Sequence, residues 1–71
     1  MSTEPASIAE ALPIEQARVR ELIGHYRDLP NNAGAFGIMM MEQELRAADQ
    51  AVMSSDVIAM IQAYEALKGC E

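Results

Sequence analysis

The chain has 71 residues, 51% hydrophobic but only 4% aromatic, and its 11 acidic and 5 basic side chains give a net charge of −6. That length makes one domain, and the acidic balance disfavours a phosphate-backbone partner, which would draw on clustered Lys and Arg. The single cysteine, Cys70, excludes an intrachain disulfide and a cysteine-held zinc.

No stretch approaches the roughly 20 apolar residues of a membrane span, and residues 1–10 lack the basic and apolar regions of a leader peptide. A cytoplasmic protein with no membrane partner is expected, and an unpaired thiol suits a reducing compartment. A chain of 7.8 kDa hides only about 60% of the surface its unfolded form exposes. With neither disulfide nor metal to supplement so small a core, a homodimer is expected.

Residues 1–6 contain Ser, Thr, Glu and Pro without apolar periodicity and are read as a loose tail before one helical domain at 7–71. Ser7-Ile8-Ala9-Glu10 has the spacing of a capping box and could open a first turn. Pro13 suits the start of a helix, where its missing N–H would have no partner, so a helix is predicted at about 13–28. Ile8, Leu12, Val19, Leu22, Tyr26 and Leu29 form its apolar stripe, with Glu15 as a polar interruption and Arg20 and Arg27 on the solvated side. Leu29-Pro30-Asn31-Asn32 terminates it.

A second helix is predicted at about 35–53. Gly34 and Gly37 lower helix propensity near its start, which points to a close backbone approach or a tight turn. Ile38, Met41, Leu45, Ala48 and Val52 project to one face, and Phe36, Met40, Ala47 and Ala51 to a second. One neighbouring helix cannot cover both, so one face is expected to pack internally and the other against a second subunit or partner. Either Ser54 or Ser55 can cap a third helix at about 56–68, with the stripe Val57, Met60, Ile61, Tyr64 and Leu67 and with Gly69 ending it in the left-handed conformation. The fold class is therefore all-α, a small bundle of two to three helices containing an antiparallel hairpin.

Nothing in this pattern carries catalysis. His25 is the only histidine and lies off the main stripe, where a base or metal ligand would need convergent partners. A three-helix chain of this length scarcely offers a cleft for paired carboxylates, so no enzyme activity, no metal and no cofactor are expected. Met39-Met40-Met41 is the most unusual local feature, because its side chains point three ways around one helix. Such methionines fill gaps in a core or a dimer seam, or they form an adaptable binding surface. The candidate partner or dimer interface is Tyr26, Phe36, Met39, Met40, Met41, Ala47 and Tyr64.

Four stretches add a resemblance. Residues 21–27 (ELIGHYR), 34–37 (GAFG), 55–60 (SDVIAM) and 64–71 (YEALKGCE) resemble short accessory proteins of Mu-like transposable phages and prophages, over about residues 14–71. Within that group the chain is most similar to the small early quorum-sensing anti-activators of Pseudomonas phages. The resemblance implies a helical dimer in the cytoplasm of a host cell, binding a LuxR-type regulator such as LasR and blocking the pilus-assembly ATPase PilB. No binding residue carries over from it. Two other functions stay open: a structural or assembly subunit, and an anti-CRISPR-like acidic mimic of DNA. The mimic would need Glu10, Glu15, Glu21, Asp28, Glu42, Glu44 and Asp49 to line one ridge.

Overall fold

The structure, a computed structural model, describes residues 7–70. The tail read at 1–6 lies outside them. Three helices follow one another, α1 (Ile8–Arg27), α2 (Ala35–Ser54) and α3 (Val57–Lys68), with a short 3₁₀ turn at Pro30–Asn32 between the first two. Among the described residues there is no strand, and each helix packs on both others. The all-α bundle and its α2–α3 hairpin match the sequence reading.

Helix α1 begins five residues earlier than predicted and carries Pro13 in its interior. Proline there removes one backbone hydrogen bond, to the carbonyl four residues back. The extension places Leu12, completely buried, and Ile8 against the core, and that burial offsets the lost bond. Ser7 is the N-cap through its carbonyl, which accepts from the N–H groups of Glu10 and Ala11; its hydroxyl makes no capping bond, so the expected capping box is not formed. The buried line of α1 is Leu12, Gln16, Val19 and Ile23. This is rotated from the predicted stripe: Leu22 and Tyr26 are only partly buried, and Leu29 is exposed.

At the α1–α2 elbow, Leu29 is extended (φ −71°, ψ 141°), as the residue before Pro30 must be. Asn31 and Asn32 then both take φ 56°, a left-handed conformation that Asn tolerates better than other side-chain-bearing residues. Gly34 is buried beneath the end of α1, and a methyl group on it would overlap the Tyr26 carbonyl oxygen. A methyl on Gly37 would lie 2.6 Å from Cε2 of the Tyr26 ring. Both glycines are thus close-approach positions, as their cost in helix propensity suggested.

The α2–α3 turn takes only Ser55 and Asp56. Ser55 is left-handed (φ 54°), its N–H donates to the Val52 carbonyl, and the Asp56 N–H donates to that of Ala51. These two bonds make a Schellman ending with serine where glycine is usual. The cap of α3 is neither serine but Asp56, whose Oδ1 accepts from the Ala59 N–H at 3.1 Å. Gly69, expected to be left-handed, closes α3 in the right-handed region (φ −75°, ψ −10°). An arginine from another helix serves the carbonyls there instead.

The core joins Leu12, Val19 and Ile23 of α1 to Met41, Leu45, Ala48 and Ala51 of α2 and to Met60, Ala63 and Leu67 of α3. Alanines at three of these ten positions let the helices approach closely but leave little apolar bulk to bury. In α3, Ala63 takes the inward place assigned to Val57 and Ile61, which are exposed.

Candidate functional site

Two polar clamps fix α1 over the hairpin. Gln16, buried among apolar neighbours, donates from Nε2 to Asp49 Oδ1 of α2 at 2.8 Å, and Arg20 reaches the same carboxylate at 3.2 Å. Asp49 satisfies a buried amide that would otherwise destabilise the core, whereas the half-exposed Arg20 pair adds little alone. Arg18 donates from Nη2 to the carbonyls of Leu67 (2.8 Å) and Cys70 (3.0 Å), and from Nε to Glu15 (2.6 Å). A guanidinium at the negative end of α3 meets both the unpaired carbonyls and the helix dipole. The solvated role read for Arg20 therefore gives way to an interhelix contact.

These clamps consume polar groups that a binding site might have used. Glu15 and Asp49 are engaged within the chain, and Glu42 and Glu44, two residues apart on α2, point roughly 200° apart around it. Glu42 and Glu44 therefore lie on different sides of α2 and do not share one ridge of that helix. His25 is exposed and borders a shallow depression of about 230 Å³ with Arg18, Glu21 and Leu22, all from α1. A hollow on one helix brings no groups together from separate elements. Among the described residues no three His, Cys, Asp or Glu side chains are grouped to hold a metal ion. None of the helices is long and apolar enough to cross a membrane.

Cys70 is partly buried, with its Sγ 3.6 Å from the Ala66 carbonyl. Burial pushes its thiol pKa up, the carboxylates of Glu44 and Glu15 add to that rise, and the Arg18 guanidinium opposes it. The group is held as a thiol, the opposite of what an activated nucleophile requires.

What remains is apolar surface, in two places. On α2, Phe36 is 70% exposed, Met39 48% and Met40 41%, and Ala47 is exposed on the same side. These four predicted residues share the outward face. The other three do not join them: Met41 is a core residue at 4% exposure, Tyr26 is half-buried over Gly34 and Gly37, and Tyr64 packs on the core with the Lys68 ammonium 5.6 Å from its ring centroid. The three consecutive methionines do diverge, one inward and two outward.

The second area was not picked out in the sequence. Val52 and Met53 end α2, and Val57, Ile58 and Ile61 start α3, all between 42% and 85% exposed. Across Gln50–Tyr64 the only charged residue is Asp56, and it is occupied as the α3 cap. A charge-poor run of fifteen residues around the hairpin turn was the available signal. Helical periodicity hid it by assigning Val57 and Ile61 to the core. Comparison with family models, curated proteins and solved structures finds no match.

Proposed function

We propose that this protein is a non-catalytic, stoichiometric inhibitor that inactivates a host protein by occupying it, with the hairpin tip as the docking surface. The observation that carries this reading is the surface at Val52, Met53, Val57, Ile58 and Ile61, with Met53 85% and Ile58 71% exposed. Exposed apolar side chains clustered in sequence around one turn mark a candidate site of protein association, and depletion of charge is what distinguishes the centre of an interface from its rim. The rest of the chain is acidic, which favours a target whose apolar groove is edged with basic residues.

The phage resemblance supplies the target class: a LuxR-type regulator such as LasR, with the pilus-assembly ATPase PilB as a second. The test is direct titration of the purified chain into each purified target by calorimetry. Binding of one of them at near-equal stoichiometry, abolished by Ile58→Glu with Ile61→Glu, is the expected result. Absence of heat and of co-elution with both targets defeats the host-inhibitor reading.

A further inference from the structure

We propose that Ser55 is the specificity-determining residue of the hairpin tip: its hydroxyl hydrogen-bonds to an amide of the target that the apolar contacts around it bury. This rests on the inhibitor reading above and adds the polar contact by which the tip tells one apolar groove from another. Ser55, itself exposed, lies between Val52 and Met53 at the end of α2 and Val57 and Ile58 at the start of α3, all four exposed. A partner that covers both helix ends also covers the turn between them.

Two observations single out this serine. The first is its free hydroxyl. Three polar side chains, Ser54, Ser55 and Asp56, interrupt the tip, and two are engaged within the chain. The Ser54 hydroxyl donates to the Gln50 carbonyl at 2.9 Å, and Asp56 Oδ1 accepts from the Ala59 N–H. The main-chain N–H of Ser55 is bonded, but its hydroxyl makes no hydrogen bond among the described residues. It is the one polar side chain between Val52 and Ile58 left to bond outward.

The second is the backbone. Ser55 sits at φ 54°, ψ 31°, where glycine is usual and a side chain costs stability. At the elbow the left-handed positions are filled by Asn31 and Asn32, which tolerate that conformation; at the tip the position is filled by a residue that does not. The fold gains nothing from this side chain, since its hydroxyl is unbonded and glycine would suit the main chain better. A strained residue that the fold does not use points to a role outside the fold. A hydroxyl is neutral and both donates and accepts, so its match in an apolar groove is a neutral amide. Apolar contacts discriminate weakly between similar grooves, whereas a buried hydrogen bond discriminates strongly, because losing one member leaves the other unpaired.

The experiment is calorimetric titration of the full chain into the purified LuxR-type regulator, or into the ATPase if that is the target that binds, with thermal unfolding of each variant alongside. Ser55→Ala and Ser55→Gly should each weaken binding by about tenfold, the effect of leaving a buried amide unpaired. Ser55→Gly should at the same time melt higher than the wild-type chain. Binding and stability then move in opposite directions, which a merely structural role would not produce. Ser54→Ala, which removes a hydroxyl bonded to its own helix, should bind within about twofold of wild type. A loss of less than about threefold in either Ser55 variant, or an equal loss in Ser54→Ala, overturns the inference. If Ile58→Glu with Ile61→Glu still abolishes binding in that case, the inhibitor reading stands without it; no binding by the wild-type chain defeats both.

Discussion

The two connections in this molecule solve the same problem, reversing a helix, in opposite ways. The α1–α2 elbow is closed: Gly34 and Gly37 let main chain and the Tyr26 ring approach where no side chain could stand. The α2–α3 turn is open: it accepts a left-handed Ser55, is capped by Asp56, and leaves Met53, Val57 and Ile58 facing outward. Close packing marks the first and exposed apolar surface the second. Close packing and availability for binding are alternatives at any one place, and this chain divides them between its two ends.

Breaking the elbow should have the largest effect. Gly34→Ala forces a methyl into the Tyr26 carbonyl and should cost about 2–3 kcal/mol, because main chain cannot step aside. Thermal unfolding checks this, with a fall of roughly 4–8 °C for each kcal/mol in a domain of this size. Gly37→Ala should cost less, about 1 kcal/mol, since the obstacle is a ring that can shift and alanine returns about 1 kcal/mol of helix propensity. Combining each with Tyr26→Ala sharpens the point. The Gly37 substitution should then become neutral or stabilising, and the Gly34 substitution should stay costly.

Changes at the open turn should be smaller. Asp56→Ala removes the cap on Ala59 and should lower stability by about 1 kcal/mol in the same measurement. Ser55→Gly should raise it by about 0.5–1 kcal/mol, because glycine relieves the left-handed strain at φ 54° and loses only part of that gain to unfolded-state entropy. The smallest effect is chemical. With its pKa raised, Cys70 holds less thiolate at pH 8 than a free thiol does, so alkylation should be slower on the folded chain and accelerate once denaturant unfolds it.

Three helices, their order and the breaks between them were legible from proline, glycine and apolar spacing. The faces were legible only in part. Periodicity placed Met41, Leu45 and Ala48 inward, as found, yet it favoured Val57 and Ile61 over Ala63. A stripe rule ranks by hydrophobicity, whereas a thin three-helix core selects small residues where backbones come close. Gln16 was missed for a related reason: its burial depends on Asp49, 33 residues away, and no local pattern carries that partnership. Pro13 misled because its usual place is the start of a helix, and here tertiary burial of Leu12 outweighs that preference. Of the candidate surface, Phe36, Met39, Met40 and Ala47 were visible in the sequence, and the hairpin tip was not.

The Arg18 clamp bears on how the molecule opens. Its bonds to the Leu67 and Cys70 carbonyls span 49 and 52 residues, so the last turn of α3 is fastened to the middle of α1 and not merely to its own helix. An end held this way cannot fray alone. Amide hydrogens in the final turn of α3 should exchange together with those in the middle of α1, as one cooperative unit, while the hairpin turn exchanges independently and faster.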